Sequence, residues 1–402
     1  MDEPTLARRA ASLGTSFPTP HMPSELESGV IAFDSGFAFP GLLPDLKPYA
    51  IEALTRHREE SLQYAVPQGN PELRAWIASY MNADGCHLTA ENILIVHGAK
   101  NGLDLICRLL LDEGDALIVS APTYFTALPI FRSFGAQIIE VGQDAAGLRV
   151  EQIENLLAAR KQSGLPKPKF IYDVSDFHNP SGIGMPLARR RALVELAGRE
   201  GIYLVEDNPY RRVRFEGESV PTLAALDSRG LVFHVGTFSK LIAPGLRMGW
   251  IAARREFIAR LIQLKSDGGS NPLIQRIVLE FCGSAAFEAH ALKVRQTYRE
   301  HRDRMIAAVR RELPGVTLTV PQGGYYLWLM LPPQVNGDTF ALHAAEAGVH
   351  IIPGSKFFAG GDECLRAQAH RYVRLSYSFA TVAQIDEGML RLASIYQSQI
   401  AA

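Results

Sequence analysis

From Lys47 onward the apolar and polar positions of the chain switch between two periods. Short runs such as Ile93-Leu94-Ile95-Val96, Ala116-Leu117-Ile118-Val119, Phe170-Ile171-Tyr172, Tyr203-Leu204-Val205 and Val232-Phe233-His234-Val235 are bounded by turn residues and separated by segments of helical spacing. Continuous apolar runs of this length suit strands covered on both faces, and strands divided by helices make βαβ units, so the pattern predicts an α/β fold with a largely parallel sheet. After about Gly268 the pattern becomes a long amphipathic helix, through Ala286 to Leu313, and then alternating runs at Val316 to Val320 and Gly324 to Leu331. That change predicts a second, smaller α+β domain. Over residues 1–48, prolines at 18, 20, 23, 40, 44 and 48 break up any regular period, which predicts an arm laid over the rest. The expected organisation is an arm over 1–48, a large domain over 49–270 and a small domain over 271–402.

Polar motifs follow the ends of the apolar runs: Gly98-Ala99-Lys100, Pro122-Thr123-Tyr124, Asn179-Pro180-Ser181-Gly182, Asp207-Asn208-Pro209-Tyr210 and Thr237 to Lys240. Open α/β sheets bind ligands at the carboxyl ends of their strands, so five motifs at five strand ends describe one site. With 41 basic and 42 acidic residues in 402, the net charge of -1 gives no chain-wide field for nucleic acid or an anionic membrane. A small molecule is the expected partner. No apolar run approaches the roughly 20 residues needed to cross a bilayer, and the N-terminus lacks a secretory pattern. Cys86, Cys107, Cys282 and Cys364 have neither metal-site nor redox-pair spacing, and the histidines suggest no metal site, so a reducing cytoplasm and no metal are expected.

The stretch Gly236-Thr237-Phe238-Ser239-Lys240, with Pro244, Gly245 and Arg247, sets one lysine among hydroxyls, turn residues and a fixed cation. A lysine amine forms a Schiff base with a carbonyl compound, and neighbouring positive charge lowers its pKa. Thr237, Ser239 and Arg247 suit a phosphate dianion, and Gly98-Ala99-Lys100, opening a helix, adds free amides. Asp207 after an apolar run is either a partner for a protonated ring nitrogen or a turn cap. Asn179 and Tyr210 suit donation to a phenolic oxygen, although Asn-Pro-Ser-Gly is also ordinary turn chemistry. Tyr124 is a stacking ring or simple packing. Arg374 in an alternating run is a clamp for a carboxylate or an outward strand residue. Neither a Walker A pattern nor a complete Gly-x-Gly-x-x-Gly is present.

Leu62-Gln63-Tyr64, Asp176-Phe177-His178-Asn179-Pro180-Ser181-Gly182, Glu206-Asp207 with Tyr210, and Phe238-Ser239-Lys240 through Arg247 occur in an order and spacing that are highly specific together. From about Ile31 to Leu392 the chain resembles the class I/II aminotransferases of the fold type I pyridoxal phosphate superfamily. It looks most like the branch of bacterial 2-aminoadipate and multi-substrate aminotransferases, which also supplies the effector domain of MocR-type regulators. The resemblance implies a seven-stranded, mostly parallel sheet in the large domain, with arm and C-terminal part forming the small one. It implies pyridoxal 5'-phosphate as cofactor and transfer of an amino group between an L-amino acid and a 2-oxo acid by a ping-pong mechanism.

By that resemblance Lys240 is the Schiff-base lysine and proton carrier, Asp207 the partner of the pyridine nitrogen, Asn179 and Tyr210 the donors to the ring oxygen, and Tyr124 the stacking ring. Thr237, Ser239, Arg247 and the turn Gly98, Ala99, Lys100 hold the phosphate. Tyr64 reaches the phosphate of a neighbouring subunit, which implies a homodimer with shared sites. Arg374 clamps the α-carboxylate, with Asn179 and the Gly36 region also facing substrate. The chain departs from that branch at Ala99 and Lys100, where hydroxyl and amide side chains are common, and at the bulkier Asp34-Ser35-Gly36-Phe37-Ala38-Phe39. Elimination, replacement, cyclisation and oxidative deamination share the same cofactor residues. A cofactor-binding regulator is a further alternative, but it needs a winged-helix domain, and about 30 residues precede the resemblance.

Overall fold

The aliphatic runs become strands because their side chains are buried on both faces. In the computed structural model, which describes residues 29–401, β1 (Ile31–Ala32) belongs to the arm. β2 (Ile93–Val96), β3 (Ala116–Ala121), β4 (Gln137–Asp144), β5 (Gly147–Leu148), β6 (Phe170–Asp173), β7 (Tyr203–Asp207), β8 (Val232–Thr237) and β9 (Gly249–Ala252) form one sheet. Its order is β2-β9-β8-β7-β6-β3-β4-β5, and the pairs joining β4, β3, β6, β7 and β8 are all parallel. The sheet has eight strands where seven are expected, because β5 folds back antiparallel on the last two residues of β4. β9 runs antiparallel between β2 and β8.

Neighbouring residues of one strand serve different cores. Ile118, Ile171, Leu204 and Val232 pack with Ile153, Leu193 and Leu196 on one face, while Leu117, Phe170, Val205 and Phe233 join Leu103, Ile106 and Phe131 on the other. Each large apolar side chain so buried contributes about 1.5–3 kcal/mol.

The expected long helix after Gly268 is two, Pro272–Cys282 and Ala285–Glu312, broken at Gly283-Ser284. The Asn271 side chain accepts from the Ile274 amide and Pro272 opens the first turn, which sets its start. This first helix packs against Lys47–Arg56, Arg58–Leu62 and Pro71–Asn82. The second sheet follows: β10 (Thr317–Leu318), β11 (Tyr326–Met330), β12 (Val349–His350), β13 (Ile352–Pro353) and β14 (Tyr372–Ser376). The order is β10-β11-β14-β13, all antiparallel, and β12 pairs instead with β1 of the arm, Ile31 opposite Val349. β10 is two residues long where the alternation at Val316 to Val320 suggests five. Pro18, Pro20 and Pro23 of the expected arm lie outside the described residues. No helix among the described residues is long and apolar enough to cross a membrane.

Candidate active site

The carboxyl ends of β3, β6, β7 and β8 open on a cavity of about 250 Å³ that the arm and the second sheet complete. One corner suits an anion. Gly98 adopts φ +81° and lets the chain turn into the helix Ala99–Leu110, and an added Cβ there would come within 3.2 Å of the Arg247 guanidinium. Arg247, itself left-handed at φ +49°, donates to the His97 carbonyl at 3.3 Å. The Thr237 and Ser239 hydroxyls lie 2.9 Å apart beside it. Burial, then the charge of Arg247, depresses the pKa of Lys100, so two cations converge on one helix start.

Deeper in, Asp207 accepts from the Tyr172 hydroxyl at 2.8 Å through Oδ2, while its buried Oδ1 has no hydrogen-bond partner. Burial raises its pKa to about 6, against the pull of Tyr172, His234 and Lys240. Glu206, one residue earlier, points the other way and pairs with His234 of β8 at 2.9 Å. Lys240 follows β8 and donates to the Gly36 carbonyl at 2.7 Å. Burial is the main cause of its lowered pKa; Arg374 and Arg247 add to it, and Tyr326 and Asp207 oppose it. Its own carbonyl accepts from the Tyr325 hydroxyl at 2.7 Å.

Arg374 sits inward on β14, opposite Trp328 of β11, and is 2% exposed. It donates to Asn179 Oδ1 at 3.0 Å and to the Asp34 carbonyl. Its guanidinium lies 4.1 Å from the centroid of the Tyr326 ring. Tyr326 is not among the residues that the sequence singles out, yet it accepts from the Tyr210 hydroxyl at 3.3 Å and lines the cavity. Burial pushes its phenol up, but Arg374 and Lys240 outweigh that and hold it below its ordinary value. A Cβ on Gly36 would meet the Tyr326 oxygen at 2.1 Å, so the arm needs glycine there. The signal in the sequence is the pair Tyr325-Tyr326 inside an alternating run. Tyr172 reads there only as part of an apolar strand.

Ala99, Lys100, Tyr124, Asn179, Asp207, Tyr210, Thr237, Ser239, Lys240, Arg247, Arg374 and Gly36 therefore face one cavity. Gly98 lies beneath Arg247 at its edge. Tyr64 is not part of it: the side chain stands on the surface, 93% exposed. The buried atoms in the cavity without hydrogen-bond partners include the acceptor Asp207 Oδ1 and the donors Asn179 Nδ2 and Arg374 Nε. Buried polar groups are rarely left so. An acceptor for a protonated ring nitrogen, a donor for a ring oxygen and a donor for a carboxylate, with an anion corner at one end, fit pyridoxal phosphate and an amino acid.

The family model for aminotransferase class I and II matches residues 25–389, and the chain belongs to that family, a pyridoxal phosphate-dependent transferase. Aromatic-amino-acid aminotransferase 1 of Thermococcus litoralis is 33% identical over 379 residues, 93% of this chain and 89% of the relative. The kynurenine aminotransferase of Pyrococcus horikoshii, solved in complex with PMP, has a TM-score of 0.88 at 31% identity, covering 93% of this chain and 92% of that one. The α-aminoadipate aminotransferase of Thermus thermophilus, complexed with N-(5'-phosphopyridoxyl)-L-leucine, has a TM-score of 0.87 at 30% identity, covering 98% of each chain.

Proposed function

We propose that this aminotransferase moves the amino group of an L-amino acid with an aromatic or apolar side chain to a 2-oxo acid, in two half-reactions on one site. The observation that carries the reading is the convergence of Lys240, Asp207, Asn179, Tyr210 and Arg374 on a single cavity. When bound, pyridoxal phosphate supplies an electron sink for negative charge at the substrate Cα. Thr237, Ser239, Arg247, Lys100 and the amides after Gly98 would hold its phosphate. Asp207 Oδ1 would face its ring nitrogen, Asn179 and Tyr210 its ring oxygen, Tyr124 its ring face, and Lys240 its reactive carbon.

Arg374 then orients the substrate by its carboxylate, exchanging the Asp34 carbonyl for a charge-assisted pair. Lys240 Nζ would take the proton from Cα and hand it to the aldehyde-derived carbon that the bound cofactor presents two bonds away. Burial lowers the pKa of that amine, the direction a base requires, and positioned proton transfer of this kind contributes roughly 10²–10⁴-fold. The cations of the cavity are thereby all assigned. Its other walls include Phe37, Phe125, Thr126, Val174 and Tyr326, with no further cation for an acidic side chain among the described residues. The name of the Thermococcus relative supports an aromatic donor.

The test mixes the cofactor-loaded protein with single amino acids, without acceptor, and follows absorbance and ammonia. Phenylalanine or tyrosine should change the spectrum stoichiometrically without ammonia, and glutamate should react more than tenfold more slowly. Continuous ammonia release would replace transfer by elimination or oxidative deamination.

A homodimer is part of the same proposal. Tyr64 at 93% exposure neighbours Leu62 at 61% and Val66 at 57%, apolar surface that a second copy would cover while Tyr64 reached its phosphate corner. Sedimentation equilibrium should give twice the chain mass, and a monomer at micromolar concentration would remove the shared site. Four free cysteines support a reducing, cytoplasmic setting. Boundaries near 48 and 270 separate the arm and the cofactor-binding part from the C-terminal part in this proposal.

A further inference from the structure

The segment that follows Tyr210 carries arginine at 211, 212 and 214. It borders a second cavity, of about 270 Å³, whose wall also includes Glu216, Ser219 and Arg295. We propose that this cavity binds a phosphate-class dianion, either inorganic phosphate or the head of a small phosphomonoester, with Arg212 and Arg295 as its principal donors.

The local charges do not balance. Asp176, fully buried, accepts from Arg190 at 2.7 Å, Arg211 at 3.1 Å and Arg214 at 3.3 Å, and Asp84 pairs with Arg211 at 2.7 Å and Arg212 at 3.3 Å. Four arginines thus share two carboxylates. Asp176 is already fully ionised at neutral pH: burial would raise its pKa, but Arg190 and Arg211 hold it at about 2. Asp176 can therefore supply no more negative charge. Arg214 shows the strain of this crowding, because burial, and then Arg211 and Arg190, depress its pKa against the pull of Asp176.

Arg295 adds a further cation. It projects from the helix Ala285–Glu312, is half-buried, and makes no ion pair or hydrogen bond with any described residue. One turn on, Arg299 pairs with Glu216 at 3.4 Å, and Arg302 pairs with the same carboxylate at 2.7 Å. Glu216, the acidic residue of the cavity wall, is thus occupied by two arginines from the helix and is not available to Arg295.

The donors are preorganised. The Arg212 guanidinium lies over the Tyr80 ring, 4.2 Å from its centroid, and its buried Nε has no acceptor. The Ser219 hydroxyl accepts from Arg211 at 3.0 Å, which leaves its own proton to give. Planar guanidinium forks match the oxygens of phosphate two at a time, and a dianion relieves the excess of positive charge better than chloride does. A cavity just below the usual size range for small-molecule sites suits a compact anion rather than a large ligand. Asp176, which three of these arginines hold, lies three residues before Asn179, and Arg211 directly follows Tyr210. Filling the cavity therefore braces two loops that carry the catalytic site.

The experiment is calorimetric titration of the cofactor-loaded protein, whose own phosphate corner is then filled, with inorganic phosphate and separately with glycerol phosphate, sodium chloride being held constant. Saturable binding of either, at millimolar concentration or below, is expected, and Arg295→Gln and Arg212→Gln should each weaken it at least tenfold. Arg295→Gln should leave the rate of transamination unchanged, which shows that its fold is intact. Binding of both ligands means that the phosphate group alone is read, and binding of glycerol phosphate alone means that the attached carbon is read too; either supports the site. Absence of saturable binding in the unmodified protein, or unchanged affinity in Arg295→Gln, overturns the proposal.

Discussion

Lys240→Ala is expected to lower transamination by about 10⁴-fold, the upper end of what a positioned proton carrier contributes. The lysine is half-buried beside the Tyr210 and Tyr325 rings, with its nitrogen 5.9 Å and 5.2 Å from their centroids. Alanine removes both the amine that holds the cofactor and the base at Cα. Because a buried amine with a depressed pKa stabilises the fold little, the variant should remain folded and still take up cofactor through its phosphate corner. The space left by the side chain admits a small primary amine, so added ethylamine should restore part of the rate, with a dependence on the concentration of its neutral form. Steady-state rates with and without the amine, beside cofactor absorbance, make the check. A variant within tenfold of the parent would take Lys240 out of the reaction.

Asp207→Asn should separate activity from stability. The amide keeps the shape of the carboxylate but not its charge, and losing one preorganised electrostatic partner of the reacting system costs about 10²–10³-fold in rate. Stability should move in the opposite direction. Burial raises the pKa of Asp207 from 3.8 to about 6 in the folded, cofactor-free chain. Between those values the folded state binds the proton and the unfolded state does not, so stability falls as pH rises through that window and is level above it. The difference corresponds to about 3 kcal/mol. Denaturant unfolding of both cofactor-free proteins at pH 4 and at pH 7 should therefore show the parent losing about that amount relative to Asp207→Asn. Parallel pH profiles would mean that the carboxyl is not held protonated. Cofactor binding should narrow the gap, because a cationic ring nitrogen offsets the cost of the buried charge.

The parts of the site that can be read from the sequence are those encoded locally. Lys240 with Thr237, Ser239 and Arg247, and Asp207 with Tyr210, each lie within one turn, and a strand-helix alternation brings their turns to one sheet edge. Tyr326 cannot be read that way. Its place depends on the register of β11 against β14, a pairing across about 50 residues of chain, and on where the arm crosses. β4 and β9 escape the apolar pattern for different reasons. β4 lies near the sheet edge, only Val141 in it is buried, and its sequence Gln-Ile-Ile-Glu-Val-Gly-Gln-Asp does not stand out as an apolar run. β9 is four residues long and begins with the glycine that lets it pass close to Gly98 and the Gly236 carbonyl. The break at Gly283-Ser284 is hidden because the apolar period resumes directly after it. Tyr64 finds no partner in the cavity of its own chain, and a motif that acts between subunits leaves no trace in the packing of one.

The arm touches both substrate-handling cations through main-chain oxygens, the Asp34 carbonyl on Arg374 and the Gly36 carbonyl on Lys240. A carbonyl is present whatever side chain its residue carries. Mutations at Phe37, the apolar side chain that the arm puts into the cavity, can therefore reshape the wall against which a substrate lies without dismantling the two contacts that keep the cations in place. Over many generations such an arrangement lets the choice of amino acid drift while the chemistry is retained, and a library randomised at Phe37, Phe125 and Thr126, with Gly36 kept, is the natural starting point for redirecting this enzyme to a new donor.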